Sequence, residues 1–407
     1  MVIKSETNSL DIKILLILAF FIFVSAAAMD VYIPAIPSIQ EAFHTNQENM
    51  QITLSIFVLI LGLGQLFSGS ISDQVGRKKV LIFSGCCFIL GSISCALSHS
   101  IQMLIVARII EAVGSCGITV VTFAIARDLF DGKSLSSAYS LINCGLGLSP
   151  LIAPIIGGYL TRWFGWRSTF SFVSILGVVL LLFAVFTVKE TLVNAKKISI
   201  KTLVTGYYQV LCNHDFVSYS VFSIVGMSVF FAFFSVSPFI IIKELEIPEY
   251  EFGFYYFLVG IFFICGSYAT SKLAQVFSNY ILALLGVIGT IFSGMIMLFL
   301  YLFYKESIIS FIFPSVAAVF SCALMLASGT GGAMMPFKEQ AGSATALLGA
   351  LQFLICAIVG YWIMSCEQQE LIYYLSLSII SLGSFALFVA LVMKSFSNER
   401  DRLIKIK

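Results

Sequence analysis

Charged residues are scarce in this chain. Only 11% of its 407 residues are Asp, Glu, Lys or Arg, whereas 59% are hydrophobic, and the mean hydropathy is +1.01. A soluble domain carries about 25% charged residues, so this chain lacks the polar surface that a water-soluble globule needs. Lipid must therefore solvate most of its exterior.

Signatures of catalysis and of metal or nucleotide binding are also missing. The sequence contains no C-x-x-C or H-x-x-x-H spacing, no P-loop and no G-x-S-x-G. Its three histidines, His44, His99 and His214, lie far apart. Most of the ten cysteines fall inside apolar runs, where cysteine acts as a small packing residue. We expect no metal, no cofactor and no nucleic-acid partner, and a membrane-embedded enzyme is a remote alternative.

Twelve apolar stretches are long enough to cross a bilayer, which takes about 20 residues. Backbone that faces lipid must be hydrogen-bonded within its own segment, and this requirement selects helices. We therefore predict an all-α polytopic membrane protein with twelve transmembrane helices. The stretches lie at 13–36, 50–72, 79–98, 101–126, 134–160, 167–188, 214–241, 251–271, 279–303, 307–328, 341–364 and 371–395.

The longest internal polar stretch, 189–213, divides the spans six and six. A weak repeat agrees with this division, because GSISD at 69–73 has an echo in GSYAT at 266–270. Two pseudo-symmetric six-helix bundles around a central cavity are the transporter arrangement that the pattern suggests. The predicted organisation is an N-terminal bundle (1–188), a cytoplasmic linker (189–213) and a C-terminal bundle with a short tail (214–407).

Lysine and arginine are distributed unevenly between alternate loops. With the N-terminus inside, the cytoplasmic segments hold 18 of the 23, and the opposite loops hold Arg162, Arg167, Lys243 and Lys305. Cytoplasmic loops retain positive charge. The sequence therefore predicts that both termini face the cytoplasm.

Three formally charged residues fall inside predicted spans: Asp30, Arg108 and Glu111. Each would cost roughly 2.5–3.5 kcal/mol in hydrocarbon unless it were paired or hydrated. Asp30 lies in AMDVYIPAIP, where Pro34 and Pro37 interrupt backbone hydrogen bonding just beyond it. It is either a carboxylate that takes up and releases a proton or an interfacial residue that orients the helix end.

Arg108 and Glu111 occupy RIIEAVGSCG on the fourth span. Their spacing of three places both side chains on one helical face. They could form an internal ion pair. Alternatively, Arg108 could bind backbone carbonyl groups of the first span or bias a nearby acid toward ionisation.

The fifth span contains GLGLSPLIAPIIGG at 145–158, which is too rich in glycine and proline for a soluble helix. In a membrane bundle such residues permit intimate packing and a defined bend. Asn143, just before this stretch, is a candidate hydrogen-bonding group for a cavity. The residues of the motif are Gly145, Pro150, Pro154, Gly157 and Gly158.

A polar turn interrupts the apolar pattern at 69–81, GSISDQVGRKKVL. An acid, a helix-breaking glycine and three consecutive cations cannot remain in lipid, so the turn must surface on the cytoplasmic side. Its candidate functional residues are Gly69, Asp73, Gly76, Arg77 and Lys78.

Aromatic residues offer candidates for a substrate cavity. Tyr32 follows Asp30, and the run VFFAFF on the seventh span includes Phe230, Phe233 and Phe234. Aromatic side chains that face lipid or pack on neighbouring helices are the more common case, so both interpretations stay open.

The polar turn at 69–81, the arginine motif at 108–117 and the proline/glycine motif at 145–158 occur in order. Together they resemble the twelve-helix drug/proton antiporters of the major facilitator superfamily. AMDVYIPAIP, GWRSTF at 165–170 and AGSATALLGALQF at 341–353 resemble its bicyclomycin- and chloramphenicol-resistance (Bcr/CflA) branch.

This resemblance implies a proton-coupled exporter of small amphipathic compounds in a bacterial inner membrane. Asp30 would be the embedded acid, with Arg108 and Glu111 linked to proton coupling. Asp73 and Arg77 would form a cytoplasmic charge latch. The partners would be a small-molecule substrate, protons and lipid, and we expect a monomer. Proton-coupled uptake of a metabolite, peptide fragment or siderophore is the alternative.

Overall fold

The computed structural model describes residues 6–130, 132–192, 200–304, 307–337, 341–366 and 370–406. No strand occurs in these ranges, and helices account for most of them. This agrees with the all-α prediction and with the requirement that lipid-exposed backbone satisfy its own hydrogen bonds.

Fourteen α-helices occur in the described residues, numbered here in chain order. They are α1 (Glu6–Asp30), α2 (Ile36–Ala42), α3 (Gln47–Val75), α4 (Arg77–Ala96), α5 (Ile101–Leu129), α6 (Gly132–Phe164), α7 (Arg167–Phe186), α8 (Ile200–Leu211), α9 (His214–Pro238), α10 (Glu249–Leu273), α11 (Asn279–Phe303), α12 (Ile308–Met334), α13 (Ala341–Met364) and α14 (Leu371–Ile406).

Twelve segments of the described chain are long and apolar enough to cross a membrane. The predicted number of spans is therefore confirmed, although several spans are longer than predicted. The first span runs over Ile12–Ala42, so it includes both α1 and α2, and the tenth continues to Met334. Polar and glycine-rich ends extend these helices beyond the apolar runs that the sequence analysis counted.

Helix α8 is a finding that the sequence analysis did not predict. It lies within the predicted linker, of which residues 193–199 are outside the described residues. Val204, Tyr208 and Leu211 are exposed at helical spacing, whereas Val210 is buried. An amphipathic pattern of this kind stabilises a helix against an apolar surface.

The first span is broken just after Asp30. Helix α1 ends at Asp30, a single 3-10 turn follows at Ile33–Ala35, and α2 begins at Ile36. Pro34 and Pro37 lie at the starts of these two short elements, where a missing N–H costs nothing. The prolines thus interrupt the helix where the sequence predicted, and they leave Asp30 at the break.

The polar turn at 69–81 contains a single residue that is not helical. Helix α3 ends at Val75 and α4 begins at Arg77, so Gly76 alone separates two spans. Its φ of +114° is a conformation that side-chain-bearing residues rarely adopt. Glycine is therefore required for the chain to reverse direction here.

The described chain forms two compact units. One contains the residues up to Ile200 together with Ile242–Phe257, and the other contains Lys201–Ile241 and the residues from Leu258 onward. In the first unit, Ile242–Phe257 packs on α6. The Tyr250 ring stacks on Tyr159 with 6.1 Å between ring centroids.

Helices α4 and α5 of the first unit approach at glycines. A Cβ on Gly114 would lie 2.6 Å from Phe88 Cα, and one on Gly91 would lie 2.7 Å from Glu111 Cβ. Neither position can hold a larger residue without moving a backbone. This contact seats the charged part of α5 against α4.

Replacement of Gly114 by alanine should destabilise the first unit. The added methyl group overlaps the α4 backbone, and overpacking of this kind costs about 1–3 kcal/mol. We expect a lower thermal unfolding midpoint in detergent. Gly147→Ala is the matched control, because a Cβ on Gly147 meets nothing within 4 Å. Equal midpoints for the two variants would contradict this account of the α4–α5 contact.

Candidate functional site

Asp30 is buried in the first unit, with a relative exposure of 6%. The Ser149 hydroxyl, on α6, donates a hydrogen bond of 2.5 Å to Asp30 Oδ2. No described lysine, arginine or histidine lies within 4.0 Å of its carboxylate to form an ion pair. Asp30 is thus a buried acid held by a neutral donor.

The fifth-span motif brings α6 close to the first span. A Cβ on Gly145 would lie 3.0 Å from the Ala19 carbonyl carbon, and one on Gly157 would lie 2.9 Å from Pro34 Cγ. Small residues therefore let the two backbones touch on either side of Ser149. Ser149 stands directly before Pro150, inside the motif, but the sequence analysis did not select it.

The other motif residues have different neighbours. Pro154 is buried and Pro150 is half-buried, and both lie inside α6. A Cβ on Gly158 would lie 2.9 Å from the Glu249 carbonyl carbon, so this glycine admits the start of α10. Asn143, at the other end of the motif, is exposed.

Arg108 and Glu111 form a fully buried ion pair. Arg108 Nη1 lies 2.7 Å from Glu111 Oε2, and both side chains have 0% exposure. The same nitrogen donates to the Ala28 carbonyl at 3.0 Å, and Ser92 Oγ donates to Glu111 Oε1 at 2.7 Å. Two of the alternatives considered above, the ion pair and the backbone contact, therefore occur together.

Aromatic rings enclose the guanidinium group of Arg108. Its Cζ lies 4.8 Å from the Tyr32 ring centroid and 4.1 Å from that of Phe57. The Tyr32 hydroxyl bonds to Thr53 Oγ1 at 2.5 Å. Tyr32, a cavity candidate, thus packs around the arginine. Among the described residues, Arg108 Nε and Nη2 have no hydrogen-bond acceptor.

Asp30 and the Arg108–Glu111 pair have different hydrogen-bonding partners, although the sequence analysis grouped the three residues. Asp30 is held from α6, whereas Arg108 contacts the Ala28 carbonyl and pairs with Glu111 on its own helix. Of the two buried carboxylates, Glu111 has a cation and Asp30 has none within ion-pair distance among the described residues. They can therefore differ chemically.

The motif at 69–81 forms a charge network around Arg77, which is buried. Arg77 pairs with Asp73 through Nη2 and with Asp128 through Nε, the latter at 2.9 Å. Its Nη1 donates to Ser72 Oγ at 2.6 Å. Asp128, at the end of α5, was missed by the sequence analysis. A carboxylate in the last turn of a span was the signal available.

Glu190 is a second residue that the sequence analysis did not select. Its carboxylate accepts hydrogen bonds from the backbone N–H groups of Arg77 and Lys78, at 2.9 and 3.3 Å. Lys78, another candidate residue of the motif at 69–81, donates through Nζ to the Val185 carbonyl at 2.7 Å. Gly69 lies in α3, and its carbonyl accepts from Ser72.

The seventh-span aromatics pack within the second unit. The Phe230 ring stacks on Phe263 at 4.7 Å, and Phe233 stacks on Phe311 at 5.7 Å. Phe234 and Phe233 are buried, and Phe230 is half-buried. Phe230 and Phe233 therefore pack against neighbouring helices, and the Phe234 ring contacts both of them on its own helix.

Neutral polar groups take the place of charges in the second unit. Ser223 Oγ bonds to Thr330 Oγ1 at 2.7 Å and accepts from Gln352 Nε2 at 2.8 Å, which links α9, α12 and α13. The spans from Asn279 onward contain no Asp, Glu, Lys or Arg in their sequence. The described residues also contain no group of three or more His, Cys, Asp or Glu side chains that could hold a metal ion.

Comparisons with known proteins agree with this architecture. Over 376 residues the chain is 26% identical to a chloramphenicol resistance protein of Pseudomonas aeruginosa, covering 90% of this chain and 88% of that protein. It is 27% identical to multidrug resistance protein D of Escherichia coli (strain K12), covering 84% and 86%.

Solved structures share the fold at low identity. A POT family transporter in complex with 5-aminolevulinic acid superposes with a TM-score of 0.76 at 16% identity, covering 95% of this chain and 96% of that one. The xylose transporter XylE from E. coli superposes with a TM-score of 0.70 at 15% identity, covering 95% and 98%. At these identities the likeness concerns the fold alone.

The family model described as Major Facilitator Superfamily matches residues 18–361, which include all three sequence motifs, nine whole spans and most of the first and eleventh spans. With twelve helical spans in the described residues and a family match over most of its length, the chain belongs to the major facilitator superfamily.

Proposed function

We propose that this protein is a proton-coupled exporter of small amphipathic compounds. Substrate leaves the cell and protons enter by alternating access, in which the binding site opens to one side of the membrane at a time. The names of the relatives, a chloramphenicol resistance protein and a multidrug resistance protein, support export of antibiotics.

One observation carries the proton-coupling part of the proposal. Asp30 is buried, sits at a break in the first span and is held by Ser149 without a cation in ion-pair distance among the described residues. An acid so placed can gain or lose a proton without breaking an ion pair. Glu111 cannot, because Arg108 binds it directly.

Competition between a proton and the substrate at Asp30 is sufficient to couple substrate export to proton entry. In the cycle that we propose, ionised Asp30 favours substrate binding from the cytoplasm. Protonation from the outer side weakens binding and releases the substrate, and the protonated form then returns and loses its proton. Each ligand lowers the affinity for the other, which is a reciprocal coupling between two binding events.

The charge distribution and the relatives support a proposal for the membrane and the orientation. We propose a bacterial inner membrane, both termini in the cytoplasm and a monomer. The cytoplasmic excess of lysine and arginine supports this orientation. The source organisms of the relatives, P. aeruginosa and E. coli, are bacteria.

A drug-susceptibility panel in an efflux-deficient bacterial host tests the export activity. The panel contains a neutral, a cationic and a zwitterionic compound: chloramphenicol, ethidium and norfloxacin. Expression of the wild-type protein should raise resistance to at least one of them. Unchanged susceptibility to all three, with the protein present in the membrane, would contradict export of this class of compound.

Asp30→Asn should abolish coupling while the protein remains folded. Asparagine is close in size to aspartate and can accept the Ser149 hydrogen bond, but it does not exchange a proton at working pH. In proteoliposomes we expect loss of substrate-driven proton movement. Retained proton movement would remove Asp30 from the proposed role.

Ser149→Ala is the matched control for Asp30→Asn. It removes the hydroxyl donor but leaves the carboxylate, so coupled transport should continue with an altered pH dependence. Comparing the two variants distinguishes the effect of losing the Asp30 carboxylate from the effect of losing the Ser149 hydrogen bond. Loss of coupling in Ser149→Ala equal to that in Asp30→Asn would contradict this division of roles.

Glu111→Leu should destabilise the protein more than the double variant Arg108→Met/Glu111→Leu. Removing one partner leaves a buried charge uncompensated, at a cost of about 3–5 kcal/mol, whereas replacing both is often close to neutral. Thermal unfolding in detergent measures both. If the single variant unfolds like the wild type, the pair is not a structural requirement of the first unit.

Orientation is testable with an impermeant maleimide on whole cells. In a background free of exposed cysteines, His99→Cys should be labelled from outside, and Lys79→Cys only after permeabilisation. His99 and Lys79 lie at opposite ends of α4 and are both exposed. The reverse labelling pattern would place the termini outside.

A further inference from the structure

Helices α4 and α7 run side by side, and the start of α4 lies near the end of α7. A helix start leaves N–H groups without intrahelical partners, and a helix end leaves carbonyl groups unpaired. The first carries partial positive charge and the second partial negative charge. These two helix ends therefore need partners of opposite sign.

A charged side chain lies at each of these two helix ends: one comes from the segment that follows α7, and the other from α4. Glu190, four residues after the end of α7, accepts from Arg77 N at 2.9 Å and from Lys78 N at 3.3 Å, which are the first residues of α4. Lys78 in turn donates through Nζ to the Val185 carbonyl at 2.7 Å, in the last turn of α7. An acid thus caps the helix start and a cation caps the helix end.

Gly76 makes room for this arrangement. A Cβ at position 76 would lie 2.6 Å from Glu190 Oε2. The glycine therefore serves two requirements that the sequence does not distinguish. It adopts a positive φ to reverse the chain, and it leaves space for a carboxylate that comes from 114 positions further along the chain.

The same segment also contacts the Arg77 charge network. Arg77 is bound by Glu190 through its backbone and by Asp73 and Asp128 through its side chain. The Thr191 hydroxyl, one residue after Glu190, donates to Asp128 Oδ2 at 3.1 Å. Residues 190 and 191 therefore touch both the main chain and the counter-ion of the buried arginine.

We propose that Glu190 and Lys78 form a reciprocal clamp that positions Arg77 between Asp73 and Asp128 and fixes the point where the linker leaves the first unit. Glu190 is thus a positioning residue, since it acts through Arg77. It lies at the cytoplasmic end of α7, whereas Asp30 lies at the break in the first span. The clamp should therefore govern the rate of the transport cycle and leave substrate affinity unchanged.

The clamp can be tested first without transport, by cysteine labelling at the start of the linker. Leu192→Cys is introduced after the exposed and half-buried native cysteines are replaced by serine: Cys86, Cys87, Cys144, Cys212, Cys265 and Cys366. Adding Glu190→Ala should speed maleimide labelling of this cysteine about fivefold, the factor expected for loss of one helix cap.

Matched variants distinguish loss of the Glu190–Lys78 clamp from a general destabilisation of the first unit. Glu190→Gln keeps one acceptor oxygen and should label at an intermediate rate. Lys79 is a neighbouring exposed cation that forms no hydrogen bond or ion pair with α7 among the described residues, so Lys79→Ala should label like the parent protein. Lys78→Ala combined with Glu190→Ala should add less than the sum of the two single effects, because both remove parts of one contact.

Transport kinetics then test the role of the clamp, and this arm rests on the proposed function. For a drug exported by the wild-type protein in the panel, Glu190→Ala should lower kcat and leave KM unchanged. Wild-type labelling together with wild-type kcat would overturn the clamp. Retained coupling in Asp30→Asn would instead contradict the proton-coupling proposal and leave the clamp standing.

Discussion

The first unit depends on keeping a charged pair out of lipid. Arg108 and Glu111 have no exposed surface, and an unpaired charge at this depth would cost several kcal/mol. Their pairing requires that α4 supply Ser92 to the carboxylate and that α1 supply a carbonyl to the guanidinium. Glycines at the α4–α5 contact make that approach possible, so the small residues and the charges form one structural requirement.

This constraint gives the two buried acids different chemistry. The Arg108 guanidinium binds Glu111 directly, so the charge of Glu111 is part of an ion pair that supports the fold. Asp30 has a hydroxyl donor and stands where prolines break the helix, so a change in its charge need not disrupt an ion pair.

The sequence predicted the number of spans and the break after Asp30, and it offered the pairing of Arg108 with Glu111 as one of several alternatives. These features follow from local composition, from proline chemistry and from a spacing of three on one helix. Ser149, Asp128 and Glu190 were not predicted, because their contacts cross 119, 51 and 113 positions of sequence. Helix α8 was missed because its 12 residues are too few to cross a membrane, so the segment was assigned with its polar neighbours to the linker.

The aromatic candidates show a second limit of sequence reasoning. A run such as VFFAFF has the same composition whether it faces lipid, a cavity or a neighbouring helix. Only the positions of Phe263 and Phe311 reveal the ring stacking. Side-chain environment in a membrane bundle depends on helix rotation, and a nearly uniform apolar sequence does not specify rotation.

The space at Gly76 links the evolution of two distant positions. Alanine at residue 76 would meet the carboxylate of Glu190, whereas a shorter residue at 190 would leave room for it but abandon the amides at the start of α4. Neither replacement is neutral in the presence of the other native residue. The positive φ of residue 76 requires glycine even where residue 190 is small. The link therefore runs in one direction: Gly76 permits a carboxylate at 190, but loss of that carboxylate would not permit another residue at 76.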